Sequence, residues 1–308
     1  MGGRASGRAV GLRGKGMSIR RILFEAGNKA LHPLGLCLGR TEADFQTTVP
    51  QGSLQKLIKE ALTVVWGRWY DATAADSTVL YPPSITKEDF TSRIIRFVDE
   101  YREFNGKNTR SGGLFLNNTI SLFAAATYFD PPTLIDSGTY TGNSAWALSR
   151  ACPSGDIHSF DITHIALRHR VPRATYHLGD WAGFFKEPLP GRPVFAFFDD
   201  HVDQIRRIEE CAERNVRIVV FDDDTPVNAT HNGHNEHSFP KASFAFWESA
   251  RTVKALNWEL RGRKFEVPID GARLEHARGL IAHYSRLPDL YPVTGFTHQW
   301  PLSMAILR

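Results

Sequence analysis

The sequence predicts an α/β protein built on a doubly wound, mostly parallel sheet, with a helical extension in front of it. Three observations lead there. Short apolar runs recur between residues 133 and 221, with helix-like stretches between them, and buried strands alternating with helices make βαβ units and a parallel sheet. Hydrophobic residues make up 42% and charged residues 23% of the 308, the balance of an ordinary folded chain. Three scattered cysteines, Cys37, Cys152 and Cys211, form no CxxC pair, which excludes a disulfide scaffold and points to a reducing, cytoplasmic setting. No apolar run approaches the roughly 18–20 residues that cross a bilayer.

The net charge of +4 invites a nucleic-acid reading, but its distribution argues against one. Residues 1–24 contain Arg4, Arg8, Arg13, Lys15, Arg20 and Arg21 and no acid, so the rest of the chain carries −2. Nucleic-acid binding leaves a basic face on the folded body, and this body is slightly acidic.

Residues 1–16 hold six glycines and four basic residues. They cannot bury a core and are expected to be disordered, an upstream extension before a natural start at Met17. Ile19, Ile22, Leu23, Ala26 and Ala30 have helical spacing beside Arg20, Arg21 and Lys29. Such a helix is expected to pack on its own domain, with membrane-surface contact by residues 17–31 as the alternative. Residues 52–66 and 88–104 read as helices, broken apart by Pro82-Pro83, and a polar Gly-rich loop fills 105–113. A further helix over 117–129 stops at Pro131-Pro132. The domain division expected is therefore a tail (1–16), a helical region (17–110) and the α/β domain (111–308).

Within the last part the strands are TLIDS (133–137), DIHSF (156–160), ATYHL (174–178), VFAFF (194–198) and RIVVF (217–221). Helices are expected over 142–151 and 200–214, and 295–308 has strand character that would close the sheet. Segments 105–116 and 225–264 read only as loops and helices.

Ligands of open α/β sheets sit outside the carboxyl ends of the strands. Those ends read Asp136-Ser137-Gly138-Thr139-Tyr140-Thr141-Gly142, then Asp161, Gly179-Asp180, Asp199-Asp200-His201, and Asp222-Asp223-Asp224. Gly138 and Gly142 permit a sharp turn and close backbone approach before a helix N-terminus. Asp161 lies 23 residues after Gly138, near the spacing at which an acid accepts from ribose hydroxyls. The pattern is GxxxG rather than GxGxxG, so it suits a nucleoside without a long phosphate chain.

These residues resemble class I S-adenosylmethionine-dependent methyltransferases. IDSGTYTGNSAWAL resembles the family's first motif, so Asp136, Ser137, Gly138, Thr139, Tyr140 and Gly142 are implied to face the methionine part of the cofactor. Asp161 matches the ribose acid; Gly179, Asp180 and Trp181, in HLGDW, match the adenine side. The departure is Tyr140, where the family usually has glycine. The resemblance implies a Rossmann-like domain, S-adenosylmethionine as cofactor and a small polar acceptor such as a sugar, glycan precursor or secondary metabolite. A homodimer is compatible with it.

The acids after the fourth and fifth strands are similar to those of metal-dependent O-methyltransferases of the catechol and macrolide-sugar type. That resemblance implies Mg²⁺ held by Asp200, Asp222 and Asp223; the competing reading is that these acids cap helices and turns. The catechol enzymes' lysine position is Asp203 here, so His201 and Asp199 become the base candidates beside Asp200. His231, His234 and His237 are expected in a loop that closes over substrate rather than in a metal site. Trp181, Phe184, Phe185, Phe244, Phe246 and Trp247 are candidates for an acceptor pocket, with core packing as the plainer reading. Two other classes compete: a nucleotide-sugar glycosyltransferase using Asp222-Asp223-Asp224 on a metal diphosphate, and a non-catalytic module on the same fold.

Overall fold

Five successive apolar-rich runs form parallel strands, and the central ones are buried almost throughout because helices cover both their faces. In the computed structural model these are β1 Thr133–Ser137, β2 Asp156–Asp161, β3 Ala174–Leu178, β4 Val194–Phe198 and β5 Val216–Phe221. The structure describes residues 56, 59–60, 62–63, 66–71, 85–104, 113–189, 193–232, 238–260, 262–294 and 300–308. The expectations for residues 1–31, Cys37, His234, His237 and most of the 105–113 loop lie outside them. All described residues belong to one compact unit, Arg40–Arg308.

Helices α1 (Lys87–Glu103) and α2 (Leu116–Phe129) precede the sheet, α3 (Asn143–Ala151) follows β1, and a short α4 (Trp181–Phe184) follows β3. Helix α5 (Gln204–Glu213) joins β4 to β5. A hairpin of β6 (Ala255–Leu260) and β7 (Arg263–Pro268) corrects the reading of 225–264 as loops and helices alone. Next come α6 (Gly271–Leu280), the unforeseen β8 (Ile281–Arg286), a short α7 (Tyr291–Thr294) and β9 (Ser303–Leu307), which confines the expected final strand to five residues.

The sheet order is β3-β2-β1-β4-β5-β9-β8. Strands β1 to β5 pair in parallel, while β9 runs antiparallel to both β5 and β8. The result is a mostly parallel, Rossmann-like sheet of seven strands. The chain winds outward from β1 to β3 and returns to β4 beside β1, so the switch point lies between β1 and β4.

Strand side chains alternate between two cores. Leu134, Phe195, Phe197, Ile218 and Val220 face α1, α2 and α3. Ile135, Ala196, Phe198, Val219 and Phe221 face α5 and α6 through Ile205, Ile208, Leu274 and Ala277. Helix α1 joins the first core: Phe97 stacks on Phe123 at 3.9 Å and Phe104 on Trp146 at 4.1 Å. The described part of the expected helical region thus shares its core with the sheet. No described helix is long and apolar enough to cross a membrane.

Candidate functional site

At the switch point the chain leaves β1 through a left-handed turn. Gly138 has φ +100°, and a Cβ there would stand 2.3 Å from the Asp199 carbonyl oxygen. Gly142 has φ +91°, and its Cβ would meet the His169 carbonyl oxygen at 2.1 Å. The close approaches that require glycine are therefore to neighbouring backbone, which locks the turn. Between them Tyr140 takes φ +43°, a conformation costing a bulky side chain about 1–2 kcal/mol. Its N–H donates to Asp161 Oδ2 at 2.8 Å, and Thr163 N–H donates to Asp161 Oδ1 at 3.1 Å. Asp161 so binds the tip of the β1 turn to the end of β2. Gly142 caps α3 without any side-chain hydrogen bond, so no cap side chain covers the first N–H groups of this helix or their partial positive charge.

The expected residues divide by what they touch. Asp136 is wholly buried and accepts from Ser159 Oγ at 2.5 Å, while burial pushes its carboxyl up to about 6. Thr139 Oγ1 shares a 2.6 Å hydrogen bond with Ser159 Oγ. Gly179, at φ +110°, sits in open space. Asp180 caps α4 through Ala182 N–H at 3.0 Å and receives both Nη groups of Arg207 at 3.0 and 3.1 Å. Trp181 is fully buried, 5.7 Å from the Phe198 ring, so its indole belongs to the core beneath α4 and not to the crevice. Phe244 is buried too, Phe184 packs on His177, and Phe246 stacks on Tyr284. The aromatic residues named for an acceptor pocket are thus dispersed.

The acids beyond β4 and β5 rearrange the expected metal set. Asp200 accepts from Ser137 Oγ at 2.7 Å and from Arg207 Nη2 at 2.8 Å, which turns its carboxylate into a buried ion-pair network. Asp222 is buried and accepts from Asn118 Nδ2 at 2.9 Å. Among the described residues, the ligand atoms that converge within 4.8 Å of one another belong to Asp199, His201 and Asp223. Only Asp223 of the expected three is in this group. The reason is alternation at a strand end, where adjacent residues face opposite ways.

His201 (φ 55°) and Asp223 (φ 51°) are both left-handed, with His201 Nδ1 3.8 Å from Asp223 Oδ2. Strained backbone of this kind gathers at functional sites. Burial raises the carboxyls of Asp199 and Asp222, the latter to about 8, and neighbouring acids add to both shifts.

Six residues that sequence reasoning missed hold this end together. Arg207, 2% exposed, pairs with Asp180, Asp200 and Glu210 and ties the ends of β3 and β4 to α5. Its only sequence signal is the spacing to Glu210 along the helix. Asn118, on α2, fixes Asp222 through its side-chain amide. Lys241 is buried, and burial lowers its ammonium pKa despite Asp222, Asp223 and Asp224 nearby. Gln204 anchors its turn, accepting from Ala242 N–H at 3.0 Å while donating to the Asp222 carbonyl at 2.7 Å. Tyr284 and Ser303 donate to Asp224 Oδ2 at 2.6 and 2.5 Å, which makes that third acid a link between β5, β8 and β9.

No protein-family model matches the chain, and no curated protein matches it in sequence. Solved structures do match. TomG from Streptomyces achromogenes, an O-methyltransferase of tomaymycin synthesis in complex with SAM, has a TM-score of 0.37 at 13% identity, over 78% of this chain and 97% of that one. An O-methyltransferase from Bacillus cereus in complex with SAH has a TM-score of 0.37 at 12% identity, over 79% and 100%. A CmcI structure with Mg and SAM has a TM-score of 0.37 at 13% identity, over 68% and 84%. Likenesses this distant decide nothing about chemistry; the chain's own residues must.

Proposed function

We propose that the protein is an S-adenosylmethionine-dependent methyltransferase acting on an oxygen of a small polar acceptor. The charge arrangement of the switch-point crevice carries this reading: carboxylates at the ends of all five parallel strands and an uncapped helix start beside them. S-adenosylmethionine presents a carboxylate, a ribose diol and a sulfonium cation. The start of α3 suits the carboxylate, Asp161 the diol, and the acid-rich rim the cation. Gly179 and Asp180 flank the adenine side. A diphosphate would meet acids instead, since Arg207 is already paired with three of them. That weighs against the nucleotide-sugar glycosyltransferase.

Methyl transfer is direct. The acceptor oxygen bonds to the methyl carbon as the carbon–sulfur bond breaks, and the electron pair stays on sulfur. The protein's task is to align the oxygen and take its proton. His201 takes it, and Asp223 stabilises the imidazolium. Cys152 and Cys211 are buried, and burial pushes both thiols up, so neither serves as a nucleophile.

The convergence of Asp199, His201 and Asp223 favours a second reading of the proton step. The donor set fits a divalent ion, since carboxylates suit Mg²⁺ or Mn²⁺ and imidazole favours the latter. A bound ion would lower the pKa of the acceptor hydroxyl. EDTA separates the readings: unaffected turnover leaves His201 as base, whereas turnover lost and restored by Mn²⁺ or Mg²⁺ makes it a ligand. Thermal unfolding tests the function itself. S-adenosylmethionine and S-adenosylhomocysteine are expected to raise the midpoint, and UDP-glucose with Mg²⁺ is not; the reverse result would favour the glycosyltransferase.

A further inference from the structure

At the amino ends of β1, β2 and β3, opposite the crevice, lies a cavity of about 640 Å³ whose lining includes Arg93, Arg96, Arg150 and Arg173. Only two acids, Glu100 and Asp130, share it. Four guanidinium groups on one cavity are unexpected in a body whose net charge after residue 24 is −2.

Helix capping explains part of the arrangement. Arg93 Nη2 donates to the Ala151 carbonyl at 2.5 Å, and Arg173 donates to the carbonyls of Cys152 and Pro153 and to that of Ser149 at 3.1 Å. These bonds satisfy the last carbonyls of α3. Arg150 Nε donates to Glu100 Oε2 at 2.7 Å. Capping leaves the remaining N–H groups of Arg93 and Arg150 unused. It also leaves Arg96, which makes no hydrogen bond or ion pair among the described residues.

We propose that this cavity binds a phosphorylated small molecule. The arginines come from α1, the end of α3 and the residue before β3. A tetrahedral phosphate can accept from several such directions, whereas a carboxylate takes a single fork. The bonds to carbonyls and to Glu100 hold three of the guanidiniums in place before any ligand arrives, which lowers the entropy lost on binding. The volume falls within the range of small-molecule sites, roughly 300–1,000 Å³, and leaves room for an organic body beyond one phosphate.

Calorimetric titration with inorganic pyrophosphate tests this, in 0.15 M NaCl (about physiological ionic strength) with EDTA, so that no divalent ion carries the anion to Asp199 and Asp223. The variant is Arg96→Gln with Arg150→Gln, which leaves both helix-capping arginines intact. Saturable binding by the unaltered chain, weakened about tenfold or more in the variant at an unchanged unfolding midpoint, is the expected result. No saturable binding, or equal affinity in the two proteins, overturns the proposal.

Discussion

Asp136 and Tyr140 are the two residues at which the β1 turn departs most from what packing alone would choose. Tyr140 holds a left-handed backbone where glycine would be unstrained, and its N–H is fastened to Asp161. Asp136 is an acid with no exposed surface, and its Oδ1 has no hydrogen-bond partner among the described residues. Its carboxyl is raised from an ordinary 3.8 to about 6, chiefly by burial. Because the folded-state value is the higher one, the neutral form favours the fold. That contribution is complete below about pH 4 and is lost as pH rises through 6, a change of about 3 kcal/mol. In urea unfolding, the stability of Asp136→Asn relative to the unaltered protein should therefore rise by about 2 kcal/mol between pH 4 and pH 7. A difference that stays flat with pH would mean that Asp136 is not buried as described.

The strand-to-helix turn from β1 into α3 is the element that makes the crevice, and its rigidity is testable. A methyl group at Gly138 would strike the backbone oxygen of Asp199, which cannot swing aside as a side-chain tip could. Gly138→Ala should lower stability by about 2 kcal/mol or more and weaken S-adenosylmethionine binding, read from unfolding midpoints with and without ligand. Gly183→Ala, with nothing within 4 Å of the added Cβ, serves as the control and should change neither by a comparable amount. The turn was legible from sequence because glycine, an acid at the strand end and a following helix are local signals. The carboxylate set was not. DDH after β4 and DDD after β5 do not reveal which member faces the crevice, since one residue's difference reverses the direction of the side chain. The deciding partner of Asp200, Arg207, lies on another element. Lys241 gave no sequence signal, for its place depends on a turn anchored by Gln204.

At the scale of the whole molecule, the five parallel strands were readable to within a residue, because their apolar runs are bounded by turns and the central three, β1, β4 and β5, are buried on both faces. The antiparallel edge was harder. Strand β8, IAHYSR, is half polar and mostly half-buried, so its periodicity is weak. The β6–β7 hairpin carried a usable signal in the alternation of Leu256, Trp258 and Leu260 ahead of Gly262. The acids crowd the carboxyl ends of the parallel strands, as the sequence implies, while the four arginines at the opposite end come from separate elements and were not legible in it. The acidic end is the one proposed to receive S-adenosylmethionine. Calorimetric titration of the unaltered protein and of Asp161→Ala with that cofactor is the decisive measurement. Micromolar affinity, weakened about 10- to 100-fold in the variant by loss of a charged hydrogen-bond acceptor, is the predicted result. No binding to the unaltered protein, or equal binding to both, would contradict the account.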